Sequence, residues 1–105
     1  MQWQRVIHGC GDVIENAGRV HSMYEFTLKG LPKQIVRVRI VETPEGQFFG
    51  LPNQTLVFDD QPLPLYVPAT PAHTPEKALH DVLCYFSAHA KPPCDKVRLL
   101  PVQNW

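Results

Sequence analysis

Apolar and polar residues alternate most regularly between Arg19 and Glu42. Tyr24, Phe26 and Leu28 interleave with Glu25, Thr27 and Lys29. From Gln34 to Glu42, Val36, Val38 and Ile40 interleave with Ile35, Arg37, Arg39 and Val41. A period of two sends successive side chains to opposite faces of a strand, so two strands are predicted here. The break at Gly30-Leu31-Pro32 is short enough to make them an antiparallel hairpin, and Pro32 cannot donate to a ladder. The second strand is apolar on both faces, because Ile35 and Val41 share a side with its two arginines.

Thr43-Pro44-Glu45-Gly46 has the composition of a tight turn. Phe48-Phe49 and Thr55-Leu56-Val57-Phe58 then read as one strand kinked at Gly50-Leu51-Pro52-Asn53, or as two short ones. Val97 to Leu100 reads as a last strand, followed by a tail closing on Trp105. Near the start, Gln2 to Ile7 is read as a short strand, Gly9-Cys10-Gly11 as a turn and Asp12 to Glu15 as a resumption. The stretch from Asp59 to Pro75 holds Pro62, Pro64, Pro68, Pro71 and Pro75, so it should be extended, irregular and partly polyproline II.

The period changes after Thr74. Thr74 can cap a helix, Pro75 suits its first position, and Glu76 sets a negative charge against the positive end of the dipole. Leu79, Val82, Leu83, Phe86 and Ala90 recur at helical spacing and predict one buried stripe. Lys91-Pro92-Pro93 ends the helix. The expectation is one α+β domain over residues 1–105. It has an antiparallel sheet of four to five strands, packed by a single helix at about 75–90, with an irregular proline-rich segment at 59–75. Glu45-Gly46, Pro52 and Thr74-Pro75-Glu76-Lys77-Ala78-Leu79, set in strands that precede a helix, resemble small β-β-β-α domains such as the partial-RNase-H-like antitoxin domains. That likeness implies an architecture and carries no function.

Composition narrows the function classes. Of 105 residues, 44% are hydrophobic and 19% charged, which suffices for one core and excludes a disordered chain. Ten basic residues balance ten acidic ones. A neutral chain lacks the field that drives non-specific nucleic-acid binding, and nothing repels a second copy. Arg37 and Arg39 are read as the wet face of a strand. No apolar run approaches the roughly 20 residues of a membrane span, and no signal segment is recognised at the start. With three cysteines, an odd number, a reduced cytoplasmic protein is expected.

Candidate chemistry is sparse. His80 and Cys84 lie four apart on the helix, with His73, His89 and Cys94 flanking it, and His8 and Cys10 lie two apart near the start. There is no Cys-x-x-Cys and no His-x-x-x-His, so no metal or other cofactor is assigned. Asp59-Asp60 are read as turn formers, Ser22 and Ser87 lack an elbow motif, and no glycine pattern cradles a phosphate. Phe48 and Phe49 are more informative, since adjacent strand residues face opposite ways and one must leave the core. With Ile35, Val41 and Tyr66 it would form an apolar outer face, either covered by the chain's own loop or tail or left open as the kind of patch that marks interfaces.

No motif here fixes a reaction. The favoured reading is a non-catalytic domain that binds another protein or itself, as a homodimer, through that face. A second reading is a small-molecule or metal pocket between helix and sheet, lined by His80, Cys84 and Tyr85. A third is a small enzyme using Cys10 with His8.

Overall fold

A computed structural model describes residues 2–67, 70–92, 95–103 and 105. Pro68, Pro93 and Cys94, which entered the reading above, lie outside them. The elements run α1 (Trp3–Gly9), β1 (Arg19–Leu28), β2 (Leu31–Glu42), β3 (Phe48–Pro52), β4 (Gln54–Phe58), α2 (Pro75–His89) and β5 (Val97–Pro101). The α+β class holds. The strands form two antiparallel sheets instead of one, β1-β2-β3 and β4-β5, and there is a second helix at the start of the chain. No helix among the described residues is long and apolar enough to cross a membrane.

The hairpin of β1 and β2 sets Phe26 opposite Val36, Tyr24 opposite Val38 and Ser22 opposite Ile40. The register slips at His21, so His21 is an extra residue and the strand bends there. A second slip, beside the Leu28–Leu31 pair, lets β2 run through Pro32 where no ladder bond is required of it. The turn after β2 is closed by Gly46 N–H donating to Thr43 O at 3.0 Å and Thr43 N–H donating to Gln47 O at 2.8 Å. The chain then returns as β3.

Asn53 separates the two sheets. Its side-chain oxygen accepts from the Arg37 amide at 2.8 Å, and its own amide donates to Arg37 O at 2.8 Å. One residue thus closes the β2–β3 ladder with both side chain and backbone. Its carbonyl meanwhile accepts from Val102 N–H, beyond the end of β5, at 2.9 Å. The kink between Gly50 and Asn53 is therefore a change of sheet. The proline-rich segment is fastened to both: Ala72 exchanges two backbone bonds with Phe48, and Leu65 N–H donates to Leu56 O.

Helix α2 covers β2 and β3. Thr74 caps it by accepting from Lys77 N–H at 3.1 Å. Its buried stripe is Ala78, Val82, Tyr85 and Phe86, with Ala90 beyond its end. The expected stripe is thus rotated: Leu79 is half-buried and Leu83 exposed, while Tyr85 turns inward. These side chains meet Val36, Val38, Ile40 and Leu56, all at 0% exposure. Burying a Val, Leu or Phe stabilises the fold by about 1.5–3 kcal/mol each. Helix and strand come so close at Gly50 that a Cβ there would stand 2.5 Å from Val82 Cγ2 and 2.8 Å from Ala78 O. The molecule is elongated, 50 × 26 × 21 Å, with a radius of gyration of 15.8 Å against about 13 Å for a typical chain of this length.

Candidate functional site

The face of β1-β2-β3 turned away from α2 carries three of the residues singled out above, Ile35, Val41 and Phe49, together with Val20 and Met23, which the sequence did not single out. Ladder partners share a face. Val20 opposite Val41, Met23 opposite Arg39, Glu25 opposite Arg37 and Thr27 opposite Ile35 therefore belong to this outer face. On the β3 side, Phe49 opposite Val41 and Leu51 opposite Arg39 complete it. Phe48, paired with Glu42, turns to the α2 side, packs against the core and meets the His21 ring edge-on at 5.6 Å. The two phenylalanines part as their adjacency requires, and Phe49 alone reaches the outer face. Tyr66 is off the sheet, 65% exposed in the proline-rich segment, and borders the outer face only at its end by Arg39 and Leu51.

Two pieces of chain cover part of this face. Ile7, Ile14 and Ala17 from the N-terminal segment wall a groove of about 970 Å³ whose floor is Val41, Phe49 and Leu51. Gly18 lets the segment rest there, since a Cβ would stand 2.6 Å from Val41 Cγ1. At the other end Trp105 donates its indole N–H to Leu51 O at 2.6 Å and lies 4.5 Å from the Arg39 guanidinium. The N-terminal segment meets β1 at Arg19, whose guanidinium lies 5.3 Å from the Trp3 ring, but leaves Val20 and Met23 50% and 55% exposed. Ile35, at the far end of β2, is exposed too.

Among the described residues β1 is also the edge of its sheet, with β2 on one side only. The opposite edge, along β3, is bridged by Ala72. α2 lies over β2 and β3, so β1 overhangs and Tyr24 is exposed on the helix side as well. Salt bridges hold β1 to β2: Arg19 to Glu42 at 2.7 Å and Arg37 to Glu25 at 3.3 Å. The second is exposed at both partners and worth little.

The cysteine and histidine candidates are not assembled into chemistry. Residues 2–7 lie in the region of α1 instead of forming a strand, and α1 buries no side chain. His8 lies in the last turn of α1 and Cys10 caps its end; both are exposed, and no hydrogen bond between their side chains is found among the described residues. Cys84 Sγ stands 3.5 Å from His80 Nε2 and 3.7 Å from Nδ1. Near-equal distances put the sulfur between the two nitrogens, off the lone-pair direction of either, which is poor geometry for activating a thiol. Both are exposed, whereas Tyr85 is buried with its hydroxyl bonded to Leu56 N–H and Leu65 O. His80 and Cys84 thus face solvent while Tyr85 faces the core. Among the described residues no three His, Cys, Asp or Glu side chains could hold a metal together. Asp59 and Asp60 sit in an exposed turn after β4, as read from the sequence.

Burial pushes the Tyr85 phenol above its usual value, and the bond from the Leu56 amide offsets this only in part. Tyr85 is thus held neutral as a structural bridge. Arg39 and Trp105 were the other residues sequence reasoning undervalued. The signal for them was an aromatic residue beyond the last strand and an arginine between Val38 and Ile40. Comparison with protein-family models, with curated proteins and with solved structures gave no match.

Proposed function

We propose that this chain is a non-catalytic interaction domain that pairs with a second copy of itself along β1, extending the three-stranded sheet and covering Val20 and Met23 at the β1 end of its outer face. The observation that carries this reading is the free edge of β1, regular from Ser22 to Thr27 beyond the bulge at His21 and flanked by exposed Val20 and Met23 on one face and Tyr24 on the other. Edges with apolar flanks are templates for another strand, and monomeric proteins blunt them with lysines, prolines, bulges or covering loops; the one bulge here, at His21, leaves Ser22 to Thr27 regular. Residues 19–28 contain no proline and no lysine.

Surface area supports the same reading. The chain exposes 7382 Å², whereas a monomeric protein of 11.9 kDa exposes about 5,900 Å². The excess of about 1,400 Å² comfortably exceeds the roughly 800 Å² that each partner buries in a standard interface. A net charge of zero leaves no long-range repulsion to overcome.

Sedimentation or light scattering between about 1 and about 100 µM, the range of ordinary reversible dimers, tests the proposal. The expected result is a species of twice 11.9 kDa that the double substitution Val20→Lys with Met23→Lys converts to monomer. Both positions are half exposed, so the folded protomer tolerates the change and retains its circular dichroism. A strict monomer throughout the range, or a dimer indifferent to the two lysines, overturns the reading.

A further inference from the structure

Apart from the β1 edge, the outer face ends in a second feature that the self-pairing does not use. A cavity of about 270 Å³ lies between β3 and the proline-rich segment, with Arg39, Leu51, Tyr66, Val67, Val102 and Trp105 around it. We infer that this cavity binds a small planar carboxylate, held by the Arg39 guanidinium and packed against the Trp105 and Tyr66 rings.

The argument starts from the charge. Among the described residues Arg39 has no carboxylate within salt-bridge distance and donates no hydrogen bond. Arg19 and Arg37, which flank the same sheet, each have one. Its Nε is shielded from water and has no acceptor. A guanidinium carries five donors in a rigid fork and is always charged; here Nε alone is shut from water, and the half-buried side chain leaves its terminal nitrogens open to a ligand. Its plane is already positioned, because Trp105 lies 4.5 Å away and is itself pinned by the bond to Leu51 O. An arginine stacked on an indole, with its terminal nitrogens free of partners in the chain, is pre-organised for a bidentate carboxylate.

The other walls select the body of the ligand. Leu51, Val67 and Val102 are apolar, Pro52 and Thr55 behind them are buried, and Tyr66 is 65% exposed with a phenol that bonds to nothing described. The volume falls just under the range of about 300–1,000 Å³ typical of drug-sized sites. It suits one ring with one carboxylate.

Sodium benzoate is the probe, titrated into the full chain carrying Trp3→Phe so that Trp105 is the sole tryptophan. The expected result is a saturable change in Trp105 emission by about 10 mM, where a millimolar site is mostly filled. Benzamide, the neutral isostere, should bind at least about tenfold more weakly, and so should benzoate to Arg39→Gln; Arg39→Lys, lacking the fork, should fall between. Circular dichroism checks that each variant is folded. Should Arg39→Gln fail to fold, Tyr66→Ala on the exposed wall replaces it, with an expected loss of about threefold or more. The proposal is overturned by the absence of a saturable change, by benzamide binding as well as benzoate, by phosphate binding in place of benzoate, or by variants that bind like the parent.

Discussion

Tyr85 offers the sharpest test of how this fold is held. Leu65 N–H donates directly to Leu56 O at 2.9 Å, but the return bond of that pair is not made directly. The Tyr85 hydroxyl stands in the gap, accepting from Leu56 N–H at 2.8 Å and donating to Leu65 O. One side chain of α2 thereby fastens the proline-rich segment to β4. Tyr85→Phe keeps the ring and its edge contact with Phe86 at 4.9 Å, yet leaves the amide of a fully buried residue without a partner. An unsatisfied buried donor costs about 1–3 kcal/mol. At about 4–8 °C per kcal/mol for a chain this size, the melting point should fall by about 8–16 °C for a 2 kcal/mol loss. Hydrogen exchange should show the Leu56 and Leu65 amides losing protection first.

The same substitution should change the response to alkali. The folded phenol titrates above the unfolded one at 10.0. Below that pH both states hold the proton and nothing changes; above it the unfolded state releases a proton that the folded state keeps, so stability falls as pH rises. Tyr85→Phe should flatten that decline. Thermal melts of both proteins at neutral and alkaline pH measure it. A variant that melts within about 0.5 kcal/mol of the parent, the size of an ordinary surface change, with Leu56 still protected, would sink this account of the bridge.

The remaining predictions concern α2 and its seat. Thr74→Ala should cost about 1 kcal/mol in urea unfolding through loss of the cap to Lys77, and Thr74→Ser should restore most of it. Gly50→Ala should cost about 1–3 kcal/mol by forcing α2 off β3. Adding Val82→Ala should recover little, because Ala78 O, a backbone atom, stays in the way.

The parts of the fold legible in the sequence are those where one local pattern meets one environment. Val36, Val38 and Ile40 alternate with exposed or half-buried neighbours, and they form the buried row of β2. Thr74-Pro75-Glu76 marks the start of α2, and that start is where the helix begins. Errors arose where a pattern is short or where tertiary contacts choose among equals. Trp3 to Ile7 holds too few apolar residues to set a period, and α1 buries none of them. Leu83 and Tyr85 fit helical stripes equally well; the choice between them fell to backbone groups on Leu56 and Leu65, which only the folded chain brings near. The outer face was partly readable from Phe49, Val41 and Ile35. Val20 and Met23 were concealed because the extra residue at His21 puts two positions of odd spacing on one face.

The partnership of β4 with β5 bears on how the chain assembles as it is made. β1, β2 and β3 are consecutive and can close by hairpins as soon as they leave the ribosome. β4 cannot, since its ladder partners, from Pro101 opposite Gln54 to Val97 opposite Phe58, follow the proline-rich segment and α2. Contacts so distant in sequence must meet the entropy of closing a long loop before they stabilise anything, and they set the pace of folding. During that interval Thr55, Leu56 and Val57, buried in the finished protein, are exposed in a nascent chain that already displays the open edge of β1. The period between synthesis of β4 and arrival of β5 is therefore when this chain is most exposed to pairing with the wrong neighbour.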